Sequence, residues 1–216
     1  CRVQLFFCKD TFFPRNFQGF WGKILEMDEE KEKIGDSEEV GSGTKQGADS
    51  TLLRDTLIRI NNALGKTEED YHRALASSFM LSADNAHAVH PNHPERTDVT
   101  NCTYMNEGVV VKSHAGQKYT SDGVSMAVVK SLASGADVPL QYFANRSDKA
   151  GGSTLGNIAM AQASMNAVDI GLPQLAMHSS YETAGIKDTY YAISLMKALF
   201  DSHIQETSTH SLEIKR

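Results

Sequence analysis

The sequence predicts an α/β layer fold with a largely parallel central sheet, and two observations carry that prediction. From Ile34 onward, short apolar runs alternate with longer amphipathic segments, which is the strand–helix order that builds parallel sheets. In addition, side chains with chemistry to offer recur just after predicted strands. Glu38, Asp84, Arg146 and the turn before His178 all stand there, and ligands of open α/β sheets gather at the carboxyl ends of strands.

The elements follow in order. Residues 1–33 are rich in aromatics, lack a sustained period and remain unassigned, and "EMDEEKEK" reads as a solvated charge run. "GADSTLLRDTLIRINNAL" places Leu52, Leu53, Thr56, Leu57 and Ile60 on one helical stripe. "EEDYHRALAS" is a second short helix, and "SFMLSA" is a buried strand. Residues 84–107 are polar, carry Pro91 and Pro94, and read as a long loop of the kind that is often functional. Then come the strand "EGVVVKSH", a helix "SDGVSMAVVKSLAS" with Ser121 or Asp122 as its cap, and the strand "VPLQYFAN". The helix "STLGNIAMAQAS", the strand "NAVDIGL" and the amphipathic helix "DTYYAISLMKALFDSHI" close the domain, which spans 34–203. The remainder, 204–216, is expected to fray.

Composition narrows the function classes. The chain has 216 residues, 40% apolar and 22% charged, as soluble globular proteins do. Its net charge of −6 argues against nucleic acid and anionic membranes as partners. No apolar run approaches the ~20 residues of a membrane helix. Cys1, Cys8 and Cys102 make no disulfide framework, which points to a reducing compartment, the cytoplasm. The chain begins at Cys1 rather than Met, as a piece of a longer protein would.

Five constellations carry chemistry. In "GDSEEVGSGTKQGA", Glu38 and Glu39 stand side by side at a glycine-rich turn, where adjacent side chains point different ways, so one can hold a metal while the other moves a proton. The turn is not a phosphate-binding P-loop, because Lys45 and Gln46 break that pattern where it touches phosphate and magnesium. "SADNAHAVHPNHPER" gathers Asp84, His87, His90, His93 and Glu95, donor types that suit zinc. The spacing leaves open which of them binds, with His93 as the expected bystander. His178 follows a strand in "GLPQLAMHSSYE", and sequence alone leaves it either a ligand or a structural histidine. "NRSDKAGGSTLGN" pairs Arg146 with Asp148, and its glycines imply a backbone passing close to a packed helix or a ligand. Lys112 at a strand end is either a solvated tip or an ammonium that selects an acidic substrate group.

Together "DSEEVGS", "SFMLSADNAHAVHPN", "GVVVKSHAGQKYTSD", "NRSDKAGGSTLG" and "DIGLPQLAMHS" resemble the aspartyl aminopeptidase family of dizinc exopeptidases, over about residues 34–200. The resemblance implies a mixed sheet sandwiched between helices, with metals at strand ends. It also implies an inserted β domain, for which this chain has no room, and assembly into a homo-oligomer, a dodecamer in the family. By position it implies Glu38 as general base, Glu39 and His178 as ligands of one zinc, and Asp84 as ligand of the other, with cobalt or manganese as alternatives. It implies that His90 reaches a neighbouring subunit's site, that Lys112 pairs with an acidic substrate side chain, and that Tyr119, Gly152, Ser153 and Thr154 form pocket wall. Lys149 and Gly151 depart from the family's motif.

The family's site needs two further ligands upstream, a histidine and a bridging aspartate. No histidine precedes His72, and Asp10 has the wrong neighbours. The expected function is removal of acidic N-terminal residues from peptides. The alternative is a truncated, catalytically incompetent relative that serves assembly or peptide binding. On either reading these residues alone are expected to bind metal weakly.

Overall fold

The computed structural model describes residues 5–9, 41–45, 47–208 and 211–215. Its centre is a five-stranded sheet, in spatial order β1 (Leu5–Lys9), β2 (Phe79–Ala83), β6 (Asn166–Gly171), β4 (Val109–Lys112) and β5 (Leu140–Phe143). The sheet is mixed, as expected. Parallel pairing is confined to β2–β6 and β4–β5, while β1–β2 and β4–β6 run antiparallel. The parallel share is therefore smaller than the sequence suggests, because the direction of a strand leaves no trace in its own residues.

Period-two alternation sends each strand's side chains to opposite faces. Phe79, Leu81, Val109, Val111, Val168 and Ile170 point to one face. There they pack on α3 (Gly123–Gly135) through Val128, Val129 and Leu132, and on α5 (Ile186–Phe200) through Leu195 and Leu199. On the other face Met80 and Ala167 meet the segment that ends α4 (Leu155–Gln162). Leu53 and Leu57 of α1 (Leu52–Ala63) and Leu75 of α2 (Glu68–Ser77) pack beside them. The sheet is thus sandwiched between helices. Asp122 caps α3 through a reciprocal pair of bonds with Ser125, which decides between the two cap candidates.

The described residues of the tail form strands rather than a frayed end. β9 (His203–Ser208) and β10 (Ser211–Lys215) pair antiparallel, with Ile204 opposite Ile214. Ile204, Leu212 and Ile214 pack against the main core. Three apolar residues at alternating positions in a polar stretch suffice to give the ribbon one buried face.

β2 and β6 continue past the sheet. Asp84 N–H donates to Ile170 O at 2.9 Å, and Ala86 N–H donates to Leu172 O at 2.9 Å. Beyond the step, β3 (Ala86–His87) and β7 (Pro173–Leu175) pair in parallel, and β8 (Thr183–Ala184) adds to β7. The step requires glycine at 171, where a Cβ would stand 2.0 Å from the Asp84 carbonyl oxygen. The long loop 84–107 is consequently anchored at its start, carrying β3 and a 3-10 turn at Pro94–Arg96.

Candidate active site

The same alternation that builds the core concentrates polar groups on the α4 face of the sheet. Lys112 ends β4 two positions after buried Val110, and Asp169 follows buried Ala167 by two. Lys112 is 3% exposed. Its Nζ lies 3.5 Å from Asp84 Oδ2, donates to the Asn85 carbonyl at 3.2 Å and sits 5.2 Å from the centroid of the Tyr119 ring. A carboxylate, a carbonyl and an aromatic face replace the water that a buried ammonium loses. Of the two sequence readings of Lys112, the solvated tip is excluded.

Tyr119 belongs to a small cluster with Ala86, Val110 and Phe143, and its hydroxyl accepts from Asn145 Nδ2 at 3.0 Å. Burial pushes its phenol above the ordinary range. Asn145 explains one glycine of "AGGST": a Cβ at Gly151 would stand 2.2 Å from Asn145 Nδ2, so the close neighbour is a side chain of this chain. Gly152 and Ser153 are exposed, whereas Thr154 is buried and donates to Asp169 Oδ2 at 2.8 Å. Arg146 grips Asp148 through two bonds of 2.8 Å and donates to the Glu95 carbonyl, tying the 144–150 segment to the long loop. The guanidinium holds the Asp148 carboxyl below the ordinary carboxylate range, and the Asp148 carboxylate in turn raises Arg146.

His178 stands on an exposed turn in the left-handed region, with φ of 66°, two residues after Ala176 at 56°. Its backbone N–H donates to Glu182 Oε1 at 2.7 Å, which also accepts from Gln174 Nε2 at 3.3 Å. Gln174 Oε1 accepts from Asn85 Nδ2 at 2.5 Å. A bonded path therefore runs from the His178 turn through Glu182, Gln174 and Asn85 to Lys112 and Asp84. Sequence reasoning singled out the two ends of this path and missed its middle. Asn85 and Gln174 give no signal as isolated amides, though Glu182, four residues past His178, was within reach of a search for carboxylates near the imidazole.

The three histidines of the long loop separate. His87 lies against Phe143 with ring centroids 6.5 Å apart. His90 and His93 are exposed and face each other at 5.3 Å. His90 Nδ1 accepts from Asn92 N–H at 3.2 Å, and His93 Nδ1 lies 3.2 Å from Glu95 Oε1; the Glu95 carboxyl is held below its ordinary range by its own backbone N–H first and by His93 second. Glu38 and Glu39 lie outside the described residues.

A mixed sheet between helices, with its polar groups gathered where two parallel strands end, defines an α/β domain with a strand-end site. Residues 29–200 match the sequence model of the peptidase M18 family, described as aminopeptidase I zinc metalloprotease (M18), and the chain belongs to that family. It is 51% identical over 166 residues to a probable M18 family aminopeptidase 2 of Clostridium novyi, covering 77% of this chain and 38% of the relative. It is 41% identical over 167 residues to aspartyl aminopeptidase 1 of Schizosaccharomyces pombe, covering 77% of this chain and 35% of the relative. Among solved structures it resembles Ape4 in its complex with Nbr1, with 34% identity and a TM-score of 0.73 over 90% of this chain and 39% of that one. It also resembles the S. cerevisiae mApe1 dodecamer, with 28% identity and a TM-score of 0.68 over 90% of this chain and 45% of that one. The chain thus spans less than half the length of each of these relatives.

Zinc takes carboxylate and imidazole donors of the kind Asp84 and His178 offer. Among the described residues, however, no group of three or more His, Cys, Asp or Glu side chains is placed to hold a metal ion. The described residues by themselves do not make a zinc site. Among them, too, no helix is long and apolar enough to cross a membrane.

Proposed function

We propose that this chain carries part of the catalytic domain of an aminopeptidase that removes acidic N-terminal residues from peptides. The observation that carries this reading is Lys112, a buried ammonium flanked by Tyr119 and set 3.5 Å from Asp84. A fixed cation in a low-dielectric wall favours an anionic substrate group far more than a solvated lysine does. The name of the S. pombe relative, an aspartyl aminopeptidase, agrees with it.

In this reading Glu39 and His178 serve one zinc and Asp84 the other, two ions completing the site, with cobalt or manganese as substitutes. Zinc held there would supply a water acidified toward neutrality. Glu38 would act as the general base that takes up a proton and returns it to the departing amine. Tyr119, Gly152, Ser153 and Thr154 border the substrate, and exposed His90 reaches the site of a neighbouring copy in a homo-oligomer, as the dodecameric relative suggests. The cysteine content supports a cytoplasmic location.

The test is release of the first residue from short peptides that differ only in beginning with Asp or Leu, with zinc present. Turnover with a preference for Asp that disappears in Lys112→Met supports the reading. A preference that survives Lys112→Met overturns the assignment of that lysine. The second reading is an assembly or peptide-binding subunit without catalysis. It expects binding of the Asp peptide without turnover.

A further inference from the structure

We infer that Asp169 is a positioning residue for the substrate-pocket wall, a role that rests on the reading of Tyr119 and the 152–154 turn as that wall. Asp169 is 0% exposed, in the middle of β6. One of its carboxylate oxygens, Oδ2, collects three donors from two separate segments. They are Thr120 N–H at 2.6 Å, Thr120 Oγ1 at 3.0 Å and Thr154 Oγ1 at 2.8 Å. Its own N–H donates to Ser121 Oγ at 3.0 Å. The other oxygen, Oδ1, is buried and has no hydrogen-bond partner among the described residues.

Through Oδ2, Asp169 gathers two wall segments that stand more than thirty positions apart in the chain. The segments are also sewn to each other above it. Thr154 N–H and Ser153 Oγ both donate to the Lys118 carbonyl at 3.3 Å, and Lys118 Nζ donates to the Gly151 carbonyl at 2.7 Å.

The consequence falls on Tyr119. Its backbone lies between Lys118, bonded to the 151–154 turn, and Thr120, bonded to Asp169. Its ring faces the Lys112 ammonium at 5.2 Å and Phe143 at 6.4 Å. Fixing residues 118 and 120 fixes the direction in which the ring leaves the chain, and so the wall against which Lys112 meets an anionic group. Asp169 touches no substrate in this scheme. It acts through Tyr119 and Thr154 by holding the wall in its binding geometry before substrate arrives.

Two substitutions separate acceptor geometry from charge. Asp169→Asn keeps an oxygen able to accept from Thr120 and Thr154, whereas Asp169→Leu keeps the volume and accepts nothing. Two readouts are taken on the whole chain with zinc: hydrogen exchange at residues 118–121 and 151–155, and affinity for a short peptide beginning with Asp. In Asp169→Leu, exchange in both segments should rise and peptide affinity should fall by about tenfold or more, while exchange along β2 and β6 is kept. Asp169→Asn should stay within about twofold of the parent in both readouts. Thr154→Val, which removes one donor and leaves the carboxylate in place, should move both readouts in the same direction by less, and it decides the matter if Asp169→Leu does not fold.

The inference is overturned if exchange at 118–121 is unchanged in Asp169→Leu and Thr154→Val. It is likewise overturned if Asp169→Asn is as damaging as Asp169→Leu, since charge and not an acceptor would then be what counts. If the parent chain itself binds no Asp peptide, the acidic-aminopeptidase reading falls, and exchange alone still judges whether Asp169 holds the two segments.

Discussion

The ion pair between Lys112 and Asp84 is long, at 3.5 Å, and its side chains are 4% and 8% exposed. Arg146 and Asp148 meet more closely, through two bonds of 2.8 Å, but their side chains are 35% and 53% exposed. The shorter pair is the one that matters less. Water already solvates Arg146 and Asp148 when they part, so their bidentate geometry adds little. Lys112 and Asp84 have surrendered their water, so removing one takes from the other a partner that solvent does not replace. The difference between them lies in burial, which separates a surface fastening from a group held in a site.

Breaking the buried pair should have the largest effect. Lys112→Met leaves the Asp84 carboxylate in the interior without its ammonium, and should lower unfolding free energy by about 3–5 kcal/mol, read as a shift in denaturant midpoint. A shift as small as that of a surface variant would mean that water reaches the pair.

A third buried carboxylate sharpens the comparison, because backbone N–H groups hold it where a cation stands beside Asp84. Asp188, 0% exposed in the first turn of α5, accepts Asn106 N–H at 2.5 Å and Gly108 N–H at 2.9 Å. Asp188→Ala should cost about 1.5–3 kcal/mol in the same measurement, less than loss of the lysine, since it strands donors and not a charge.

Tyr119 comes next. Tyr119→Phe removes the bond from Asn145 and should cost about 1 kcal/mol. Burial raises its phenol, so the stability that neutral Tyr119 contributes is complete below the ordinary value of 10.0 and is lost as pH rises through the raised one. Tyr119→Phe should therefore flatten the alkaline limb of the stability profile.

The smallest effect belongs to the exposed pair. Arg146→Ala should leave the midpoint at neutral pH unchanged within error. Because Arg146 holds Asp148 below the ordinary carboxylate range, the pair's contribution is complete above that range and is lost as pH falls through the depressed value. The variant should show a slightly shallower acid limb, and 1 M salt should erase the difference.

These pairs also mark how far the sequence could be read. The main strands and helices from Leu52 to Phe200 were legible from continuous apolar runs such as "FMLSA" and "VVVK" and from amphipathic helical stripes, whereas the short strands β3, β7 and β8, two or three residues each, were read as loop or turn. The hairpin at 203–215 was not, because three apolar residues spread over two short strands fall below what a polar stretch announces. Asp84, Lys112 and Tyr119 were singled out and do converge. What brings them together, the antiparallel register of β4 on β6, involves strands more than fifty positions apart and cannot be seen locally. Asp169 had a local signal that went unused: a lone carboxylate inside the apolar run "NAVDIG" must find buried donors, and Thr120 and Thr154 supply them. The loop histidines show the opposite failure, since regular spacing drew attention to His87, His90 and His93, yet His87 lies against Phe143 while the rings of His90 and His93 face each other on the exposed loop.

The account depends most on the ends of β2 and β6 acting as one site, joined by the bonded path from Asp84 to the His178 turn. A zinc titration followed by amide resonances tests this directly. Signals of residues 84–86 and of 178–182 should both shift as zinc is added, while those of 90–93 stay behind. Shifts at one of the two segments without the other, or shifts confined to His90 and His93, would contradict it.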